Sequence, residues 1–304
     1  MMNLRYIITT AAILFCLGTA FSQQQVMFTQ YMFNGLALNP AYAGSHESLS
    51  ISALSRKQWA GLDGAPNTQT LSAHSPIANR TSVGLLVLHD KIGVTEQTGA
   101  YASFAYRIPL NEKGKLSFGL QGGLSFYNAN FSNVSQSDPT FAMGDIRESH
   151  PNIGFGLYYS TDRFYVGASS PQLLENRFDK SNNDSDSRII RHYFATAGYV
   201  FDLNHALKLK PNVLIKNVEG APMQIDLNAN LLINEIIWVG MSWRSFDSFD
   251  ALLQLQITDQ LQFGYAYDFA TTTDLNRVNS GSHEFMLNFR LKDKKSRIIT
   301  PRYF

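Results

Sequence analysis

The sequence predicts an all-β protein: an up-and-down antiparallel transmembrane barrel of outer-membrane type, with about 14 strands and an N-terminal lumen plug. Three observations carry this. From Ser48 onward, short segments alternate apolar and polar residues, the period-two pattern of strands. The connections between them are tight on one side and include every long loop on the other. The polar face of the best strand carries Asp and Asn, too hydrophilic for a soluble sandwich core and suited to a wet or plugged lumen.

Composition agrees. Only 16% of the 304 residues are charged, against about 25% in a typical globular chain, and 12% are aromatic. Such a surface suits a sheet whose outer face meets something other than water. Lys plus Arg (25) balance Asp plus Glu (24), so nothing points to nucleic acid or another polyanion as partner.

The first element is a secretory signal, residues 1–22: Arg5, then the apolar run Tyr6 to Leu17, then the small-x-small site Ala20-Phe21-Ser22. The single cysteine, Cys16, lies within it. A mature chain from Gln23 therefore has no disulfide framework, thiol nucleophile or Cys-ligated zinc. Residues 23–47 follow as a plug or periplasmic segment. They are apolar (Met27, Phe28, Tyr31, Met32, Phe33, Leu36, Leu38) without a clean period and contain an Asn39-Pro40 break and a turn at Gly44.

The barrel is expected over 48–291. Strands are expected at 48–54, 68–74, 83–89, 95–107, 115–127, 152–159 and 164–169. A further seven fall at 191–201, 207–216, 223–233, 236–243, 251–257, 261–269 and 283–291. The third is expected to break at Asp90, and 128–150 to be irregular. In the tenth, Ile225, Leu227, Ala229, Leu231 and Ile233 form one face; Gln224, Asp226, Asn228 and Asn230 form the other. Aromatics near strand ends (Phe126, Tyr127, Tyr158, Tyr159, Tyr193, Phe194, Trp238, Trp243, Tyr267, Phe269) are expected to form interfacial girdles. Glycines within strands (Gly119, Gly122, Gly123, Gly154, Gly156) read as sites of curvature. Residues 292–304 form a basic tail ending in Tyr303-Phe304. Both termini are expected on the short-turn side, the periplasm of an outer-membrane protein. A large soluble β-protein is the competing architecture.

No enzyme chemistry emerges. The seven His have no HExxH or other metal spacing, no nucleophile elbow is present, and the glycines fit no phosphate loop. No catalytic residue, cofactor or metal is expected.

The chain resembles the PorP/SprF family, outer-membrane proteins associated with type IX secretion in Bacteroidetes. The resemblance rests first on Gln30, Tyr31, Asn34, Leu36, Asn39, Pro40, Ala41 and Gly44. It continues through Arg56, Gln58, Trp59, Gly61, Gly64, Ala65, Pro66 and Thr68, then the strand series and the tail ending Pro301-Arg302-Tyr303-Phe304. Gly35 departs from the family, which favours Pro there. The resemblance implies a non-enzymatic barrel whose partners are type IX secretion components and the C-terminal domain of a secreted adhesin. Such adhesins include those of gliding motility. Outer-membrane lipid is the third partner, and nucleic acid is none. Arg56 is expected to be a lumen charge pinning the plug or first loop. Trp59 is expected at the rim as a partner anchor or girdle aromatic, and Tyr303 and Phe304 as a docking handle. A passive channel for small or hydrophobic solutes is the alternative.

Overall fold

The structure is a computed structural model and describes residues 26–110, 114–131, 145–175, 190–270 and 279–291. Its strands are β1 (Ser50–Lys57), β2 (Asn67–Ala78), β3 (Thr81–Ile92), β4 (Thr95–Pro109), β5 (Lys115–Ala129), β6 (Ile146–Ser160) and β7 (Phe164–Gln172). There follow β8 (His192–Tyr199, resuming at Phe201–Asp202 after Val200), β9 (Leu207–Val218), β10 (Gln224–Ile233), β11 (Ile237–Arg244), β12 (Ser248–Gln256), β13 (Leu261–Ala270) and β14 (Ser282–Arg290). Because both pieces of β8 pair with β9, these are fourteen strands. Each pairs antiparallel with its sequence neighbour, and β14 pairs with β1 from Ser50↔Arg290 to Lys57↔His283, closing the barrel. Closure removes the sheet edges that could not be hydrogen-bonded in lipid.

Alternation sets which side chains face in. On β1, Ser50, Ser52, Leu54 and Arg56 are buried. On β10, Asp226, Asn228, Asn230 and Leu232 are buried while Leu227 is exposed. Leu85, Leu120, Ile153, Met241 and Leu287 likewise face outward and are exposed. An apolar outside around a polar inside is what a bilayer selects and what water would penalise.

The short connections, such as the Asn234-Glu235 turn, lie at one end. Both of its residues adopt left-handed backbone (φ 51 and 59), as a tight turn between twisted strands requires. Two expected boundaries differ. β3 does not break at Asp90; it runs to Ile92 and turns at Gly93 (φ 58). Asp90 stays in the strand because its carboxylate accepts the Thr68 hydroxyl at 2.6 Å. β6 begins at Ile146, because residues 146–150 pair with the far end of β5 down to Ala129↔Ile146.

The girdle expectation divides. Phe126, Tyr193, Trp243 and Phe269 are exposed on the outside. Tyr158, Phe194 and Trp238 are buried and face inward, where Phe194 and Trp238 join one cluster with the N-terminal segment and Tyr158 packs on Tyr42 in a second. Adjacent residues of a strand point to opposite faces, so only one of Tyr193 and Phe194 can face outward, and it is Tyr193.

Candidate functional site

The lumen holds residues 28–43, folded as three successive 3-10 turns at Tyr31–Phe33, Gly35–Ala37 and Pro40–Tyr42. Nearly every residue of the segment is buried. Gly35 and Pro40 interrupt the segment, and its short turns let apolar side chains point in several directions. Its contacts with the wall form three levels.

At the long-loop end, charged side chains hold backbone. Glu284 accepts the backbone N–H of Thr29 at 2.9 Å and of Gln30 at 2.8 Å. Arg56 lies 2.6 Å from Asp268 and 3.1 Å from Glu284, and donates to the Thr29 hydroxyl at 2.9 Å. The Thr29 hydroxyl in turn donates to Asp268 at 2.8 Å. Arg244, ion-paired to Asp226 at 2.9 Å, donates to the Phe28 carbonyl. Buried charge is tolerated only when paired and hydrogen-bonded, and here the pairing includes the segment's own peptide groups.

In the middle, the Gln30 side chain accepts from Gln254 at 3.2 Å. Asn34 donates to Thr70 and accepts from Ser72 at 3.0 Å. Tyr31 is fully buried, and Phe33 packs edge-on to Trp238 with centroids 6.0 Å apart. The Lys210 ammonium lies 4.9 Å from the centre of the Phe33 ring and also faces Tyr165 and Trp238. A cavity of about 30 Å³ beside Tyr31 and Tyr42 leaves room for about one water.

At the short-turn end, Asn39 caps the last turn by accepting from Ala41 N at 2.9 Å and donates to the Leu157 carbonyl at 2.9 Å. Pro40 occupies the first position of that turn, where no N–H is needed. A side chain on Gly119 would overlap the Ala41 backbone, and one on Gly156 would overlap the Asn39 side chain. These two glycines therefore leave room for the Asn39–Ala41 turn against the wall, a role beyond the curvature read from the sequence. Gly44 has φ 76 and donates its N–H to His74 at 3.0 Å.

Gln58, Trp59, Gly64 and Pro66 sit in the β1–β2 loop. Gln58 N donates to the Pro66 carbonyl, and Trp59 N to Ser282 Oγ at 3.2 Å. Trp59 is half-buried with φ 46. Gly64, with φ 75, accepts from Gly93 N, and Ala60 exchanges two hydrogen bonds with Ser280 and Gly281. The loop is thus tied to the β3–β4 turn and to the chain before β14. Tyr303 and Phe304 lie outside the described residues. Sequence reasoning missed Thr29, Asp268, Glu284 and Lys210. Glu284, Met286 and Asn288 do alternate with Phe285 and Leu287, but nothing in that pattern names the partner.

One end of the segment is not where expected. Val26 and Met27 lie at the long-loop end, lining a vestibule of about 580 Å³ with Trp59, Tyr127 and Phe246. The expectation that residues 23–43, which precede the first strand, start on the short-turn side fails for Val26 and Met27. A segment preceding strand one need not stay at that strand's starting end when it can run the length of a lumen.

A closed antiparallel barrel with an apolar outside and a polar, occupied inside defines a transmembrane β-barrel protein of outer-membrane type. Residues 20–289 match the family described as type IX secretion system membrane protein PorP/SprF. The chain belongs to that family, and is a membrane component associated with type IX secretion. No curated protein matches it. Among solved structures it is similar to the CymD monoaromatic hydrocarbon channel, at 12% identity over 90% of this chain and 94% of that one, with a TM-score of 0.49. It is also similar to Omp33 of Acinetobacter baumannii, at 12% identity over 81% and 98%, with a TM-score of 0.47. A Pseudomonas aeruginosa FadL homologue is similar at 13% identity over 85% and 92%, with a TM-score of 0.44.

Proposed function

We propose that this chain is a non-enzymatic outer-membrane adaptor of type IX secretion. It binds and anchors a secreted, adhesin-type surface protein, or links the barrel to the periplasmic secretion machinery. In this reading the long loops face the cell surface and the C-terminal end faces the periplasm. Trp59 at the loop rim and the basic tail with Tyr303 and Phe304 are its partner handles, and residues 28–43 are a plug.

The observation that supports it most is the occupied lumen. Paired charges hold the segment at one end, and Asn39 and two glycines hold it at the other. A barrel filled this way is poorly arranged as a passive channel and well arranged as a rigid platform. The test is a pull-down of the tagged barrel from native membrane with partners identified by mass spectrometry. Recovery of a secreted adhesin or a periplasmic secretion component is expected. A barrel recovered alone that passes solutes in liposomes would overturn the reading.

A further inference from the structure

We propose that the lumen binds a monovalent, sodium-sized cation between Asp250 and Asp268, at its long-loop end. This goes beyond the adaptor reading and is independent of it, since it concerns an ion inside the wall and no protein partner.

Asp250 lies on β12, faces inward and is only 3% exposed. Among the described residues neither of its carboxylate oxygens has a hydrogen-bond partner of good geometry. The same holds for the hydroxyl of Ser248, two positions earlier on the same face. The neighbouring strands explain why. On β11 the register partner of Asp250 is Ser242, whose hydroxyl donates to Asp226 at 2.6 Å. On β13 it is Asp268, a second carboxylate. Along β12 the next inward residue is Leu252. The two guanidiniums at this end are committed elsewhere. Arg244 serves Asp226, Asp247 and the Phe28 carbonyl, and Arg56 serves Asp268, Glu284 and Thr29.

Charge balance points the same way. The buried carboxylates Asp226, Asp250, Asp268 and Glu284 face only the guanidiniums of Arg56 and Arg244. Lys216 and Asp247, on the vestibule wall, add one charge of each sign, and Lys210 is occupied at the middle level over the Phe33 ring. Like charges directly opposite on neighbouring strands repel, and a buried charge persists when it is paired or holds a cation. Carboxylate and hydroxyl oxygens are hard donors and suit a hard cation. Among the described residues no three acids or histidines converge. The set is therefore too sparse for a divalent ion, which demands a fuller shell of oxygens. One positive charge is what Asp250 lacks. A way in exists: Arg244 lines the vestibule and is the register partner of Ser248, so the site lies one step from its wall. Asp90, Glu96 and Asp247 outnumber Lys216 and Arg244 around that vestibule, a balance that draws cations inward. Because Asp268 also accepts from Thr29, the ion braces the grip on the inner segment.

Unfolding in salts of equal ionic strength tests this. The refolded barrel in zwitterionic micelles is unfolded by urea in sodium chloride or in the chloride of N-methyl-D-glucamine, a cation too large for the site. The midpoint is expected to be higher in sodium. It should also rise with the logarithm of the sodium concentration, as mass action requires of an ion bound only by the folded chain. Asp250→Asn is expected to fold, as heat-modifiable gel mobility verifies, and to unfold at one midpoint in both salts. If Asp250→Asn does not fold, Ser248→Ala replaces it. That variant is expected to need more sodium for the same gain, and an unchanged sodium dependence would overturn the proposal. Equal midpoints for the unaltered chain in the two salts would overturn it, as would an undiminished sodium effect in folded Asp250→Asn. A midpoint blind to the salt but rising on mild acidification would overturn it in favour of a protonated Asp250. A failed pull-down leaves these outcomes untouched, so the two proposals fail separately.

Discussion

Arg56 and Glu284 meet at 3.1 Å across the seam where the first and last strands close the barrel, and they are register partners in that ladder. Neither is exposed, and Glu284 also accepts the peptide N–H groups of Thr29 and Gln30.

Removing one member of this cluster leaves the others buried and unpaired. Arg56→Met is expected to destabilise the barrel by about 3–5 kcal/mol. The double variant Arg56→Met/Glu284→Gln should lose clearly less than the sum of the single changes. Urea unfolding of the refolded barrel in micelles measures both, and strict additivity would show that the pair does not act as a unit.

The glycines offer a graded comparison on two adjacent strands. Gly119→Ala on β5 and Gly156→Ala on β6 are expected to cost about 1–3 kcal/mol each, because the new methyl meets the Asn39–Ala41 turn. Gly122→Ala, whose methyl would meet nothing within 4 Å, should stay within about 0.5 kcal/mol. Thermal unfolding of the three variants in one detergent checks the ranking. Equal losses would return Gly119 and Gly156 to a role in curvature.

Asn39 makes two hydrogen bonds that no apolar replacement keeps. Asn39→Ala is expected to lose about 1–2 kcal/mol and to loosen the segment from the wall. Limited proteolysis with mass-spectrometric mapping should show cleavage within residues 28–43 rising above the unaltered chain. The same cleavage rate in both would mean the cap is dispensable.

Deleting residues 28–43 should convert the barrel into a conductor. The intact protein is expected to be nearly silent in planar bilayers, and the deletion variant to show ion channels. If both conduct alike, the segment does not block the lumen.

Much of the barrel was legible because each strand has to sort apolar from polar side chains. Gln224 to Ile233 shows this most clearly, with Asp226 and Leu227 pointing to opposite faces as their parity requires. Arg56 could be expected to face the lumen for the same reason. Its partners could not be named, since Asp268 and Glu284 lie more than two hundred residues away and only barrel closure unites them. Trp238 and Phe126 look alike in sequence, but one packs on Phe33 and the other faces outward. The path of residues 26–47 was the least legible, because three 3-10 turns carry no repeating period from which a direction can be drawn.

The Arg56–Glu284 seam also bears on assembly. β14 is the last strand to be made and β1 the first, yet the side chains that join them both grip Thr29. The strand ladder and the grip on Thr29 share one place, so the residues that close the wall also hold its interior. A change at Arg56 or Glu284 is therefore felt twice, in the closure of the wall and in the seating of the chain inside it.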